Sequence, residues 1–324
     1  MIKGKRIFLT GGAGFIGTTL IQRLIENNTV IAYDNLLRDA LTGTDLARHP
    51  NLTFIKGDVL DTEALAPAMK GAQIVVHLAA IAGVDSVLRD PITTIKVNMV
   101  GTANVLDIVS RIKGLERFVD FSTSEVFGTH AYKVDEFAPT LLGSVGEARW
   151  TYAVSKLVGE HMCHAYWRQN KVPACSIRPF NVYGPGQVGE GAIQQFVKRA
   201  VQGEDLVVRG DGSQIRAWCY VDDLIEGLLL VLEHPKAVGE VFNIGNPLST
   251  VTIYDLARRV IDVTGAPSKI RFEPLNYTDI EIRIPNIDKA RSLLGYEPKV
   301  QLEDGILRTY EWFKKQLVSE IAGA

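Results

Sequence analysis

The chain has 324 residues, enough for one large domain or two fused ones. Its 46% hydrophobic and 22% charged residues are ordinary for a soluble globular protein, and 35 basic against 37 acidic residues leave a net charge of -2. That balance gives neither nucleic acid nor an anionic membrane a reason to bind. The three cysteines, Cys163, Cys175 and Cys219, are widely spaced with no CxxC pair, so they offer neither a disulfide framework nor a zinc site.

The first residues run straight into a strand-like apolar stretch with no small-residue cleavage site, so no signal peptide is expected. No apolar run approaches the ~20 residues of a membrane helix, and the expected location is cytoplasmic. Aliphatic or β-branched runs at 7–9, 30–33, 53–56, 74–78 and 118–122 read as strands. Most are separated by apolar residues at helical spacing, such as Ile16, Leu20, Leu24 and Ile25. Residues 92–112 and 152–169 are long helix candidates, and 174–177 is a further strand. This alternation predicts an α/β fold, a Rossmann-type doubly wound parallel sheet with helices on both faces. After Pro179 glycine-rich turns separate shorter elements: a strand at 241–244 and helices at 252–263 and 306–316. These predict a smaller mixed α/β C-terminal region.

Gly11-Gly12-Ala13-Gly14-Phe15-Ile16-Gly17 follows the first strand and opens a helix. Small residues at this spacing let the backbone turn tightly and approach a pyrophosphate at a helix N-terminus, and the last glycine lets that helix lie close to the sheet. Asp34 ends the next strand, where a carboxylate accepts from a ribose diol and repels a 2′-phosphate, favouring NAD over NADP. Arg38 nearby reads as a solvated loop charge. Asp58 follows the third strand, placed to bond an adenine amino group. His77-Leu78-Ala79-Ala80 ends the fourth with small residues, His77 itself reading as a satisfied core histidine.

Ser122-Thr123-Ser124-Glu125 ends the fifth strand with hydroxyls and a carboxylate, and Tyr152-Ala153-Val154-Ser155-Lys156 follows on a predicted helix. Residues i and i+4 share a helix face, so Tyr152 and Lys156 point into one pocket. A nearby ammonium is expected to lower the phenol's pKa and make it a general base, with Thr123 holding the same substrate hydroxyl. Tyr310 and Lys314 repeat the spacing but follow no hydroxyl-bearing strand, and are assigned to packing and solvation.

In this order the motifs resemble those of the NAD-dependent epimerase/dehydratase family of extended short-chain dehydrogenases. Arg178-Pro179-Phe180-Asn181-Val182-Tyr183-Gly184-Pro185, Gly210 to Arg216 and Phe242-Asn243-Ile244-Gly245 continue the likeness over the whole chain. The resemblance implies tightly held NAD bound by residues 1–180, a substrate region at 181–324 with later segments returning to the first, and a homodimer formed through the two long helices. It adds Phe15, Ile16, Asn35, Val59, Asn98, Ser122 and Pro179 to the cofactor contacts. It makes Asn181, Arg216 and Arg283 substrate contacts, the arginines gripping a nucleotide diphosphate. No metal is expected.

The resemblance also implies oxidation of a sugar C4 hydroxyl, after which outcomes diverge. Thr123-Ser124-Glu125 is similar to UDP-glucuronate decarboxylases and GDP-mannose dehydratases, and Arg149 to Lys156 and Asp279 to Pro285 resemble decarboxylases. A UDP-sugar decarboxylase leads, followed by a 4,6-dehydratase and then a 4-epimerase. A non-catalytic dinucleotide sensor would lack Tyr152 or Lys156, and Asp34 argues against an NADPH-dependent reductase.

Overall fold

The structure, a computed structural model, describes residues 2–275 and 277–323. The first strands are β1 (Arg6–Thr10), β2 (Thr29–Asp34), β3 (Leu52–Lys56), β4 (Ile74–His77), β5 (Arg117–Phe121), β6 (His130–Val134) and β7 (Ala174–Pro179). Next come β8 (Val182–Tyr183), β9 (Leu206–Arg209), β10 (Ile215–Ala217) and β11 (Cys219–Tyr220). The last are β12 (Val241–Ile244), β13 (Thr250–Thr252), β14 (Ile270–Glu273) and β15 (Ile282–Pro285). Helices in the first half are α1 (Phe15–Leu24), α2 (Thr62–Ala68), α3 (Val84–Arg89), α4 (Pro91–Ile95), α5 (Gly101–Val109) and α6 (Trp150–Asn170). The second half adds α7 (Ala192–Gln202), α8 (Val221–Glu233), α9 (Ile253–Thr264), α10 (Asp288–Leu294) and α11 (Leu302–Gly323).

Seven strands form a fully parallel sheet in the order β12-β7-β5-β4-β1-β2-β3. Strand β1 shows why such strands read as continuous apolar runs: both faces are covered. Ile7 and Leu9 pack into a core shared with α1 and α8, while Phe8 packs into one shared with α2, α5 and α6. The chain winds outward from β1 through β2 and β3, then returns to β4 on the other side of β1. That reversal opens a crevice at the carboxyl ends of β1 and β4, where ligands bind in folds of this kind.

A second, mixed sheet runs β13-β10-β15-β6, with β10 antiparallel to β13 and parallel to β15, and β15 parallel to β6. Strand β6 departs from the sequence reading, because among its residues only Ala131 is buried and no alternation betrays it. Strand β12, one of the later segments, pairs with β7 at the edge of the parallel sheet. The single helix expected over 92–112 is α4, a π-helical turn at Lys96–Val100, and α5, ending at Val109. The second YxxxK pair lies on α11, with Lys314 Nζ 5.8 Å from the Tyr310 ring centre, a surface packing role as expected.

Candidate active site

After β1 the chain turns through Gly11 at φ +69°, a left-handed conformation that favours glycine. A Cβ on Gly11 would stand 2.6 Å from Ala79 N, and one on Gly17 2.6 Å from Gly11 O. The loop therefore lies against Leu78-Ala79-Ala80 after β4, and α1 lies against the loop. Gly14 caps α1 without a side-chain hydrogen bond, leaving N–H groups and the positive helix end for an anion. Phe15 and Ile16 form its first turn, half-buried on the core. Asp34 is fixed by two amides, Leu36 N to Oδ1 at 2.7 Å and Ala13 N to Oδ2 at 3.0 Å. Burial raises its pKa and these N–H groups oppose the rise. An uncapped helix end, bare glycine backbone and an anchored carboxylate at the end of β2 fit a dinucleotide.

The other residues implied at this end divide into two groups. Asn35 Nδ2 donates to Asp58 Oδ2 at 3.5 Å, so these two meet beside Asp34. Val59 is instead buried under α5, where a Cβ on Gly101 would come within 2.5 Å of it. Asn98, in the π-helical turn, accepts from Ile81 N at 2.8 Å and donates to Ile81 O and Ser155 Oγ, both at 3.0 Å. It therefore shapes the loop after β4, its carboxamide spent on protein partners. His77 is the satisfied core histidine expected, 2.6 Å from Thr10 Oγ1 and 2.9 Å from Thr102 Oγ1. Burial, and then the Lys156 ammonium, lower its pKa to about 3. Arg38 is not the solvated charge expected: it donates to Ser86 Oγ at 3.0 Å and pairs with Glu190 at 3.2 Å.

Strand β5 leads into Ser122 and Thr123, both buried, and Thr123 Oγ1 caps the 3-10 turn Ser124–Phe127 by accepting from Glu125 N at 3.2 Å. Helix α6 places Tyr152 and Lys156 one turn apart. Burial raises the Tyr152 pKa, and the Glu125 carboxylate raises it further. A hydrogen bond with Thr123 and the charge of Arg283 pull it down. The sequence reading gave that last task to Lys156. Its ammonium lies 4.0 Å from Asp120 Oδ1, and a cation already matched by a carboxylate does not outweigh the desolvation of the phenol.

Thr123, Ser124, Glu125, Tyr152, Pro179 and Asn181 line a cleft of about 500 Å3 that also reaches Arg216 and Arg283. Asn181 Nδ2 donates to Ala217 O at 2.8 Å, tying it to β10. Arg216 on β10 and Arg283 on β15 are register neighbours in a parallel pair. Like charges so placed repel unless offset. Asp279 Oδ1 lies 3.4 Å from Arg216 Nη2, and Glu125 Oε1 3.4 Å from Arg283 Nη1.

A third arginine completes the cluster. Arg149 precedes α6 and stands 3.7 Å from Glu125 Oε1 and 3.4 Å from Asp279 Oδ1. It was not among the residues assigned to the site; the signal was its place one helical turn before Tyr152. All three arginines are buried, and Nε of Arg149 and of Arg283 has no hydrogen-bond partner. Burial lowers the pKa of Arg216 to about 10 and depresses that of Arg283, with neighbouring guanidinium groups adding to both effects. Within this cluster three cations face two carboxylates, so the corner of the cleft beside Tyr152 favours an anionic group.

The comparisons agree with this geometry. The model of the NAD dependent epimerase/dehydratase family matches residues 7–245. UDP-N-acetyl-alpha-D-glucosaminuronate decarboxylase of Bacillus cytotoxicus is 32% identical, over 96% of this chain and 98% of its own. UDP-glucuronic acid decarboxylase 1 of Xenopus tropicalis is 34% identical, over 97% of this chain and 73% of its own. Among solved structures, UDP-glucuronic acid 4-epimerase from Bacillus cereus, in complex with UDP-glucuronic acid and NAD, superposes with a TM-score of 0.88. It is 32% identical and covers 96% of this chain and 99% of its own. A glycine crevice fitted to a dinucleotide, a tyrosine and lysine one turn apart, and likeness over nearly the full length make the chain a member of the NAD-dependent epimerase/dehydratase family, and an NAD-dependent enzyme.

Proposed function

We propose that the enzyme decarboxylates a UDP-linked uronic acid. The observation that carries this reading is the Arg149–Arg216–Arg283 cluster, buried against Glu125 and Asp279 in the cleft that holds Tyr152. A sugar carboxylate adds a negative charge that a neutral hexose lacks, and Arg149 and Arg283, which flank Glu125 beside Tyr152, are the cations assigned to meet it, Arg216 being left to the diphosphate. Gly11, Gly14, Gly17 and Asp34 would hold the dinucleotide, with Asn35 and Asp58 at its adenosine end. When bound there, NAD would supply the hydride acceptor for C4 oxidation and the hydride donor for later reduction of the C4 ketone.

Tyr152 takes the C4 hydroxyl proton, and Thr123 holds the same oxygen. With a ketone at C4, the carboxylate on C5 is a β-keto acid and loses carbon dioxide. Thr123 and Tyr152 then face the enolate oxygen that forms, an oxyanion stabilised by fixed donors. Glu125 is the carboxyl group whose charge acts most strongly on the Tyr152 phenol, and we assign it the orientation of a water molecule that gives C5 the proton replacing the lost carbon dioxide. Arg283, beside it, orients the carboxylate.

Incubation with UDP-glucuronate, UDP-N-acetylglucosaminuronate and UDP-glucose, followed by product masses, tests this. Loss of carbon dioxide from a uronate is expected, with UDP-glucose inert. A uronate returned at unchanged mass but altered chromatography would instead assign 4-epimerisation, the second reading, which the 4-epimerase likeness favours.

Two coarser expectations accompany this reading. Exposed Ile92, Ile95 and Val100 before α5 and Val154 on α6 support a homodimer through these helices, checked by sedimentation. Three buried cysteines, none in a disulfide, suit a reducing cytoplasm. Among the described residues, no helix is long and apolar enough to cross a membrane.

A further inference from the structure

The proposed chemistry leaves one buried ionisable group unused. Asp120 is completely buried on β5, with the Ser176 hydroxyl of the neighbouring strand as its one hydrogen-bonding neighbour and Lys156 as its one ion-pair partner among the described residues. A carboxylate in that setting is strongly disfavoured unless a cation offsets it. The groups around it come from three directions. Helix α6 offers Lys156, Glu160 and Cys163, and β7 offers Cys175 and Ser176, with Arg178 of β7 paired to Glu160. On the remaining side stand His77 of β4 and Thr102 of α5, which bond one another.

Most of these are already committed. Arg178 is held bidentately by Glu160, at 2.8 and 2.7 Å. His77 is neutral, and the two thiols are pushed up by burial and stay protonated. Lys156 is the cation left to Asp120, at 4.0 Å, and both side chains are shut away from water. We propose that Asp120 is a positioning residue for the Tyr152–Lys156 pair: its carboxylate is the counter-ion that holds the Lys156 side chain aimed along the face of α6 it shares with Tyr152, and so sets the pH range in which the phenol works. Burial raises the pKa of Asp120 to about 6, with Lys156 opposing the rise, so the counter-ion itself discharges within reach of ordinary buffers. Its negative charge also raises the phenol's pKa.

This inference rests on Tyr152 being the base, and the test separates the two. Asp120→Asn keeps the shape and removes the charge. Turnover of UDP-glucuronate, UDP-N-acetylglucosaminuronate and UDP-glucose is followed against pH in the wild type, Asp120→Asn and Tyr152→Phe, with thermal unfolding and bound NAD checked in each. Above the pH at which Asp120 discharges, removing its negative charge makes neighbouring groups give up their protons more readily, so the alkaline limb of the Asp120→Asn rate profile should move to lower pH by roughly one unit, and the part of the acid limb due to Asp120's own discharge should disappear. A folded, NAD-bearing Asp120→Asn enzyme whose rate falls without movement of either limb shows a packing role and overturns the proposal. If Asp120→Asn does not fold, Asp120→Glu is read instead: it should keep the wild-type limbs, and a moved profile overturns the proposal. Activity surviving in Tyr152→Phe, or no turnover by the wild type, would overturn the catalytic reading and this inference with it.

Discussion

His77 shows how one side chain can tie the catalytic neighbourhood to the stability of the fold. Both ring nitrogens face threonine hydroxyls inside the protein, and the folded ring stays neutral down to about pH 3. Unfolded, the same ring binds a proton near pH 6.5. Its folded pKa is thus depressed, so the unfolded state takes up the extra proton as pH falls. Stability from this site is complete above about pH 6.5 and drains away toward pH 3, with a slope of up to about 1.4 kcal/mol per pH unit. Urea midpoints measured across that window should fall less steeply in His77→Gln than in the wild type. Parallel curves for the two proteins would show that the slope comes from carboxylates alone.

At the scale of elements, three loops meet over the crevice. The segment after β2 closes on the glycine loop, with Ala40 N donating to Ala13 O at 2.7 Å, and it carries Arg38. The segment before α7 carries Glu190, which pairs with Arg38 and accepts from Asp85 N and Ser86 N at the start of α3. Gly83 and Gly189 make room for the pair: a Cβ on Gly83 would stand 2.8 Å from the Glu190 carboxylate, and one on Gly189 2.7 Å from the Arg38 guanidinium. Glu190→Gln keeps the size and weakens the charge-assisted bonds. Release of bound NAD, followed with a trapping dehydrogenase, should speed up about tenfold, a change of about 1.4 kcal/mol. An unchanged release rate would show that these loops do not hold the cofactor.

The same scale explains what was legible in the sequence. The glycine loop, Asp34, Thr123 and the Tyr152–Lys156 pair are local patterns, each written within one or two consecutive elements. Arg149 and Asp279 stood in stretches that resemble decarboxylases, but their pairing with each other, like the place of Asp120, depends on partners on other elements that no window of sequence brings together. The π-helical turn escaped because one extra residue in a turn barely disturbs a helical hydrophobic period, yet it turns Asn98 into the protein. The Lys156 expectation failed for a related reason. Its spacing from Tyr152 was visible, but the carboxylate opposing it on β5 was not.

For the molecule as a whole, the reading of an α/β protein with a parallel sheet and a smaller mixed region holds. What sequence order concealed is the traffic between the two sheets. Strand β6 leaves the first half of the chain to finish the mixed sheet, and β12 comes from the second half to finish the parallel one. Each sheet thus borrows an edge from the other half. A fragment ending near Pro179 would leave β7 with a bare edge, open to pairing between chains and so to aggregation. The intact chain should melt in one calorimetric transition, because neither sheet is complete without the other half; two resolved transitions would contradict this. It follows that a ribosome cannot release a finished first half while still making the second: the parallel sheet must wait, one strand short, until residues 241–244 have emerged.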